Sequence, residues 1–320
     1  MKEFDFIRRY LHRSQADADV LIGIGDDAAV IRPRAGYDLC FSSDMLLKDR
    51  HFFGDVAPAD LAYKVLAVNI SDMAAMGASP RWALLGAGLP QLQEDWLAEF
   101  CGSLFVLAQH FGITLIGGDT TKGDLVFNVT IVGELPQGRA LRRDAAQAGD
   151  DVWVSGQLGL AAAALHHHWH TFALPDAVFD CCERARLRPE PRVALGQALL
   201  PVAHAAQDVS DGLAQDLDHI LQASGVGAEV FADNVPTLPQ LHDVLDKTAL
   251  YGCVLAGGDD YELVFTAPRS CRSAVAEAGR ASATPVTRIG RITQDRGRLN
   301  ILNANGMPVA LASLGFNHFE

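Results

Sequence analysis

The sequence predicts an α/β (α+β) protein of two domains. The chain has 320 residues, about twice the length of a typical domain. Helix-like and strand-like segments alternate in both halves, and a polar stretch with an arginine pair, residues 136–151, separates them. We therefore predict a first domain over residues 1–137 and a second over residues 138–320.

Local signals predict the elements of the first half. Pro58 suits the first turn of a helix, and Gly77 ends the apolar periodicity that follows it. Residues 125–135 alternate apolar and polar side chains, which is typical of a half-buried strand. Helices are predicted over residues 3–13, 58–76 and 95–110, and strands over residues 38–44, 81–89, 114–116 and 125–135.

The second half repeats the alternation of strands and helices. Strands are predicted over residues 152–155, 261–266 and 286–292, and helices from residue 158 and over residues 212–223. In the first of these helices, His166 and His170 stand one turn apart and have a spacing that suits a transition metal. We interpret the whole histidine run instead as the solvent-facing end of an alanine-rich helix.

The charge balance argues against two kinds of partner. Lys and Arg total 26 and Asp and Glu total 39, which gives a formal net charge of −13. Nucleic acids and anionic membrane surfaces attract basic patches, so we predict neither as a partner. No apolar run approaches the ~18 residues of a membrane-spanning helix. Six scattered cysteines without a C-x-x-C pair suit the reducing cytoplasm, where we expect the protein to act.

The aspartates form six short motifs beside glycine or serine. Carboxylate and hydroxyl oxygens suit Mg²⁺, and neighbouring glycines let the main chain approach a phosphate. At strand ends and in turns these groups can converge on one edge of a sheet. We therefore predict several Mg²⁺ ions bridging a polyphosphate. The motifs contain Asp27, Asp44, Asp72, Asp119, Asp211 and Asp260.

Each motif also has a simpler interpretation as a turn or helix cap. Six repetitions favour metal binding, because an acidic rim without cations would repel itself. Lys64, Lys122 and the pair at residues 142–143 are either phosphate partners or ordinary surface cations. There is no lysine-bearing phosphate loop and no protein-kinase motif. Residues 23–28 match a loose dinucleotide-binding fingerprint. The segment carries two aspartates that would face the anionic pyrophosphate, so it is a poor dinucleotide-binding signal.

Five segments of the chain together resemble the thiamine-monophosphate kinase family of the aminoimidazole ribonucleotide synthetase-like superfamily. They are GIGDDAAV, DLAYKVLAVNISDMAAMGASP, LIGGDTTKG, DVSDGLAQDLDHI and GGDDYELVF, and the match runs from EFDFIRRY to LGFNHF. The resemblance implies a two-domain fold with an N-terminal domain forming a dimer β-barrel, a C-terminal α/β domain and an active-site cleft between them. It also implies a homodimer that phosphorylates thiamine monophosphate to thiamine diphosphate by direct in-line transfer from ATP, with several Mg²⁺ ions.

The resemblance assigns roles to individual residues. Metal ligands would be Asp27, Ser42, Ser43, Asp44, Asp72, Asp119, Asp208 and Asp211. Among these, Asp27, Asp72 and Asp211 are the predicted catalytic carboxylates. ATP would contact Gly118, Asp119, Arg143 and Ser210, with Phe111 packed on the adenine. Thiamine phosphate would contact His51, Asp259 and Phe316.

Four positions depart from the family pattern. Ser43 replaces a threonine and keeps the hydroxyl, whereas Asp259 replaces a glutamate and keeps the charge at a shorter reach. Lys122 stands where arginine is common, which exchanges a planar fork for a point charge. Phe316 replaces Trp or Tyr and loses the polar group of the ring. Because no metal carboxylate is missing, the predicted activity stands.

Two other functions fit the same aspartates. One is another ATP-using enzyme of the superfamily, but the first 39 residues hold no cysteine of the kind that a selenophosphate synthetase uses. The other is a non-catalytic protein that binds divalent cations for structural purposes. It would leave Lys64, Arg143 and the glycine-flanked turns without a role.

Overall fold

The computed structural model describes residue 5, residues 7–12 and residues 17–317. The chain divides into two compact units, one running up to Met73 and resuming over Ala78–Arg139, the other formed by Ala74–Gly77 and the chain from Ala140 onwards. Of the predicted helix over residues 3–13, the described part contains a π-helical segment, Ile7–Leu11, while residues 3, 4, 6 and 13 lie outside it. No helix within the described ranges is long and apolar enough to span a membrane.

The first unit is built on a four-stranded sheet. Its elements are β1 (Val20–Ile22), β2 (Val30–Ile31), β3 (Tyr37–Leu47), α1 (Pro58–Met76), β4 (Ser79–Leu89), α2 (Glu94–His110), β5 (Thr114–Lys122) and β6 (Val126–Pro136). The strand order is β3-β6-β4-β5, with β4 and β5 parallel and the other neighbours antiparallel. Helix α2 is the crossover that a parallel pair requires.

The two faces of this sheet are covered differently. Helices α1 and α2 pack on one face, where Leu66 and Leu104 meet Leu85 and Val129. The antiparallel pair β1–β2 packs on part of the other face, around the fully buried Trp82. Helix α1 begins at Pro58 and ends before a glycine with φ of 73°, as the sequence predicts.

The second unit is built on a six-stranded sheet. Its elements are β7 (Asp151–Ser155), α3 (Leu160–His168), α4 (Asp176–Leu187), α5 (Val193–Leu199), β8 (Ala205–Asp208), α6 (Leu213–Ser224), β9 (Gly227–Phe231), α7 (Pro239–Val244), α8 (Lys247–Ala256), β10 (Leu263–Ala267), α9 (Arg272–Ala281), β11 (Val286–Thr293) and β12 (Leu299–Leu302). The strand order is β12-β9-β11-β7-β10-β8, and only the pair β12–β9 is parallel. Strands β7 and β10 are buried along their whole length.

Four predicted element boundaries were wrong. The strand predicted over residues 38–44 continues to Leu47, because its last residues pair with β6. The strand predicted over residues 114–116 continues to Lys122, because its second half pairs in register with β4. The strand predicted from Tyr261 begins at Leu263, because Tyr261 has φ of 53°, which is outside the extended region. The helix predicted from residue 158 begins at Leu160, after Gly159 with φ of 83°.

The histidine run is less exposed than predicted. His166, His167 and His168 are half-buried, and only His170 of the four is exposed. The ring of His167 stacks on Phe179 with centroids 4.3 Å apart, and its Nδ1 accepts a hydrogen bond from a main-chain N–H. Burial lowers the pKa of His166. The first three histidines are therefore half-buried instead of facing solvent, with His167 packed against the next helix, and only His170 lies in solvent as predicted.

One buried ion pair anchors the start of β7. Asp151 is 1% exposed, and it accepts bonds from Arg272 at 2.5 and 2.8 Å and from Arg288 at 3.3 Å. Burial by itself would raise the pKa of this carboxyl, but the bonds from the two arginines outweigh burial and hold the pKa below its ordinary value. The ionised form is therefore favoured by folding.

We expect Asp151→Asn to lower the free energy of unfolding at pH 7 by about 1–2 kcal/mol, less than a fully buried pair because both arginines are about half exposed. A depressed folded-state pKa contributes stability above the unfolded pKa and loses it as pH falls through the folded pKa. The difference in unfolding free energy between wild type and variant should therefore disappear at acid pH. Urea unfolding at pH 7 and pH 3 measures it, and an unchanged difference at pH 3 would contradict this account.

Candidate active site

Three predicted metal ligands of the first unit lie together on the helix-covered face of the sheet. Ser42 and Asp44 are alternate residues of β3, opposite the buried Ile131 and Val129 of β6. The Ser42 hydroxyl donates to an Asp72 carboxylate oxygen at 2.5 Å. Asn69, one turn before Asp72 in α1, accepts a bond from the main-chain N–H of Asp44 at 3.0 Å. Helix α1 thus supplies the Asp72 carboxylate and fixes the strand that supplies Ser42 and Asp44.

The side chain of Ser43 lies on the opposite face. Its hydroxyl is 3.1 Å from that of Thr130 and accepts a bond from Asn128. Because successive residues of a strand point to opposite faces, this hydroxyl does not share a site with Ser42 and Asp44. The predicted ligands at residues 42–44 therefore separate into two environments. The sequence predicted that these residues end a strand. They lie instead inside the eleven-residue strand β3.

Gly118 and Asp119 lie within β5, at the far edge of the same sheet. Gly118 pairs with Leu85, and Leu85 pairs with Val129, the residue opposite Asp44. The three strand spacings that separate β5 from β3 amount to about 14 Å. The sheet therefore aligns these residues in one row without bringing their side chains into contact.

Gly118 occupies a position that admits no side chain. Its φ is 145°, and a Cβ at this position would lie 1.9 Å from the carbonyl oxygen of Leu85. The exposed main chain here can approach a ligand closely.

The remaining predicted residues of the first unit lie in turns. Asp27 is exposed in the segment between β1 and β2. His51 follows β3, and its Nδ1 accepts the main-chain N–H of Leu47 at 3.0 Å, which places the proton of the neutral ring on Nε2. Phe111 directly follows α2 and is half-buried.

In the second unit, main-chain hydrogen bonds hold together the three segments that carry the predicted ligands. The N–H of Asp259 donates to the carbonyl of Ser210 at 2.7 Å. The N–H of Phe316 donates to the carbonyl of Asp211 at 2.9 Å. Asp208 ends β8, directly before this turn, and is 4% exposed. The fold therefore gathers the predicted metal, nucleotide and thiamine phosphate residues of this unit.

The loop between α8 and β10 is held in an unusual conformation. Asp259 and Tyr261 have φ of 64° and 53°, in the left-handed region that side chains rarely adopt. A Cβ on Gly258 would lie 2.5 Å from the carbonyl oxygen of Ser210, so the two loops are in close contact. Local strain of this kind is common where side chains are aimed at a ligand.

Two buried carboxylates that the sequence analysis missed, Asp216 and Glu262, support these loops together with the half-buried Asp260. Asp216, in the first turn of α6, accepts the main-chain N–H groups of residues 210–212. Burial raises the pKa of Asp216 to about 7, and the charge of Asp211 adds to the shift. Glu262 accepts two bonds from Arg192 at 2.8 and 2.6 Å and one from Ser155. Burial raises the pKa of Asp260 well above its ordinary value, although Gly159 donates to it.

The candidate phosphate partners have contrasting surroundings. Arg143 is exposed at the start of a short 3₁₀ segment, Arg143–Ala145, whereas its neighbour Arg142 pairs with Asp144. Lys122 is exposed at the end of β5. Lys64 is 2% exposed in α1 and is therefore not the surface cation that the sequence allowed. Arg143, Lys122 and Arg142 are exposed to solvent, but Arg142 is already paired with Asp144.

Across the described residues, no three His, Cys, Asp or Glu side chains are grouped as a ready-made metal site. The donors are instead one or two carboxylates at a time with hydroxyls beside them, as in the Ser42–Asp72 pair. Mg²⁺ commonly takes one or two protein carboxylates and completes its shell with water and phosphate oxygens. The oxygen-rich donor set therefore fits Mg²⁺ held jointly with a nucleotide.

Comparison with known proteins defines the class. The family model for the N-terminal domain of AIR synthase related proteins matches residues 25–135, and that for the C-terminal domain matches residues 147–301. The chain is thus a two-domain AIR synthase-related protein, which confirms the predicted fold class.

Individual relatives give the family. The chain is 43% identical to the thiamine-monophosphate kinase of Salmonella typhimurium, over 99% of this chain and 98% of the relative. It matches the crystal structure of the thiamine-monophosphate kinase from Stenotrophomonas maltophilia at 44% identity and a TM-score of 0.87, covering 97% and 98% of the two chains. AaThiL complexed with AMPPCP and TMP matches at 26% identity and a TM-score of 0.74, covering 98% and 95%. The chain belongs to the thiamine-monophosphate kinase family.

Proposed function

We propose that the protein transfers the γ-phosphoryl group of ATP directly and in line to the phosphate of thiamine monophosphate, giving thiamine diphosphate and ADP. The observation that carries the proposal is the hydrogen-bonded meeting of residues 208–212, 257–261 and 314–316 in the second unit. These segments hold the residues predicted for metal, ATP and substrate. The relative AaThiL, whose solved structure is a complex with AMPPCP and TMP, supports the pairing of a nucleotide with this acceptor.

The chemistry explains why the site is rich in carboxylates. Both reactants are phosphates, so repulsion between anions is the main obstacle to transfer. The acceptor phosphate is already ionised at pH 7, and no strong general base is needed. Catalysis is then positioning together with electrostatic stabilisation of the transferred group.

We assign Asp27, Asp72 and Asp211 to hold several Mg²⁺ ions, with Ser42, Asp44, Asp119 and Asp208 as further ligands. When bound, these ions supply the positive charge that brings the two phosphates together. The hydroxyl of Ser43 faces away from Ser42 and Asp44, so a role for Ser43 would be in a separate environment.

The other residues bind and orient the two substrates. We assign the main chain at Gly118, the guanidinium of Arg143, Asp119 and Ser210 to contact ATP, and Phe111 to pack on the adenine. His51 would donate from Nε2 to the substrate phosphate, because its Nδ1 is already occupied. Asp259 and Phe316 complete the thiamine phosphate contacts. We place the reaction in the cytoplasm.

We propose that the first units of two chains pair to form the dimer. Strand β3 is an edge of its sheet, and Phe41 and Met45 are 62% and 54% exposed on the face away from the helices. Leu21 and Val30 of the neighbouring β1–β2 pair are also exposed. An apolar edge strand of this kind is typical of an interaction surface.

We expect Phe41→Asp to convert a dimer into a monomer, because it places a charge at the centre of this apolar face. Light scattering after gel filtration measures the mass. Val106→Asp is the matched control, since Val106 is 70% exposed on α2 and lies outside the face. A Phe41→Asp protein with the wild-type mass, or a monomeric control, would contradict the proposed interface.

The activity is tested by chromatography of the products. We expect thiamine diphosphate from thiamine monophosphate, ATP and Mg²⁺, and none when Mg²⁺ is omitted or thiamine replaces the monophosphate. ADP formation with a different acceptor would reassign the substrate within the superfamily. Metal binding without ATP binding or turnover would favour a structural cation-binding protein.

A further inference from the structure

Asp216 makes an unusual set of contacts for a helix residue. It lies in the first turn of α6 and is 1% exposed. One carboxylate oxygen accepts the main-chain N–H groups of Ser210, Asp211 and Gly212 at 3.0, 3.0 and 3.1 Å. The other oxygen accepts from the side-chain amide of Gln207 at 2.8 Å. One buried side chain therefore fixes three successive peptide groups and the end of the preceding strand.

The bonds from Ser210 and Asp211 serve the turn and not the helix, whereas the bond from the N-cap Gly212 resembles that of a capping box. A capping carboxylate normally accepts N–H groups from inside the first helical turn, as Asp246 does for the N–H of Ala249 in α8. The N–H groups that Asp216 accepts belong to residues before α6 begins. Stabilisation of the helix alone does not require this arrangement.

The turn carries the ligand residues. Asp208, Ser210 and Asp211 are all within five residues, and Gln207 directly precedes the first of them. Asp259 and Phe316 are hydrogen-bonded to the same turn through its carbonyl groups. A change in the turn would therefore move metal, nucleotide and substrate contacts together.

We propose that Asp216 is a positioning residue, which holds the turn of residues 210–212 in the conformation that presents Ser210 and Asp211 to a divalent cation and its nucleotide. This inference rests on the proposed function of the turn. Asp216 itself does not touch the reactants. Its contribution is to keep the turn in this conformation when the negatively charged metal-ligand residues approach each other.

Three variants separate positioning from simple stability. Asp216→Ala removes every acceptor. Asp216→Asn keeps the shape of the side chain. The Oε1 atom of Gln207 has no hydrogen-bond partner among the described residues, and it can accept from the new amide if the Gln207 amide rotates. Asp218→Ala is the matched control, because Asp218 lies in the same helix and, among the described residues, its carboxylate accepts one hydrogen bond, from Gln222 at 3.4 Å.

The test is titration of Mn²⁺ alone by calorimetry, together with the Mg²⁺ dependence of kcat and thermal unfolding. We expect Asp216→Ala to weaken Mn²⁺ binding at least about tenfold and to raise the Mg²⁺ concentration for half-maximal rate, while remaining folded at the assay temperature. Asp216→Asn should restore most of both quantities, and Asp218→Ala should match wild type. If Asp216→Ala does not fold, Asp216→Ser takes its place with the same expected direction.

The outcomes are distinguishable. A folded Asp216→Ala protein with wild-type Mn²⁺ affinity and Mg²⁺ dependence overturns the inference, as does wild-type protein that binds no Mn²⁺. A lower unfolding temperature without a change in metal dependence also overturns it, since it indicates a structural role. If wild type makes no thiamine diphosphate but Mn²⁺ binding is lost in Asp216→Ala and restored in Asp216→Asn, the positioning role stands and the proposed reaction does not.

Discussion

Asp211→Asn is expected to lower kcat about 100- to 1000-fold while leaving the fold intact. Asparagine keeps the shape of aspartate, and Gln215, whose amide bonds the Asp211 carboxylate at 3.2 Å, can donate equally to the new amide oxygen. The negative charge that would hold Mg²⁺ is lost. We expect the same direction for Asp27→Asn and Asp72→Asn.

Steady-state formation of thiamine diphosphate at increasing Mg²⁺ measures this effect, with circular dichroism and thermal unfolding to establish the fold. Asp218→Asn provides the matched control, because it removes a carboxylate from α6 outside the turn. Near-wild-type turnover by folded Asp211→Asn at saturating Mg²⁺ would show that this carboxylate holds no catalytic metal.

The second large effect is expected at Gly118. Alanine there would need φ near 145° and would place its Cβ 1.9 Å from the carbonyl oxygen of Leu85. The strand must shift or separate from β4, at a cost of about 2–4 kcal/mol. We expect lower stability together with weaker ATP binding, because the main chain that would face the nucleotide is displaced.

Gly123→Ala tests whether the effect is specific to that position. Gly123 directly follows β5, and a Cβ there meets no atom within 4 Å. Urea unfolding and the KM for ATP should change in Gly118→Ala and stay near wild type in Gly123→Ala. Equal stability and equal KM for the two variants would contradict the assigned role of the Gly118 main chain.

Elements with strong local signals were predictable from the sequence. Helix α1 has a proline at its start and a glycine after its end, and the structure places it over Pro58–Met76. Strand β5 was predicted too short, because a Gly-Gly pair is typical of a turn and only pairing with β4 keeps it extended. The left-handed conformation of Tyr261 likewise comes from contacts with the neighbouring loop, which no local pattern records.

The candidate site was predictable as a set of residue types but not as an arrangement. The motifs identify Ser42, Ser43 and Asp44 together, whereas strand alternation puts Ser43 on the opposite face. Asp216 gave no signal of its own, because an acidic residue in the first turn of a helix is common. Its role follows from three hydrogen bonds to a turn that the fold brings beside it.

The most direct test of the proposed reaction is a single-turnover experiment with ATP labelled at the γ-phosphate. Excess wild-type enzyme is mixed with labelled ATP, thiamine monophosphate and Mg²⁺, and then quenched over time. Direct transfer predicts that label leaves ATP and enters thiamine diphosphate at one rate, with none on the protein and no transfer without Mg²⁺. Label that accumulates on the protein, or that appears only as inorganic phosphate, would contradict the proposed mechanism.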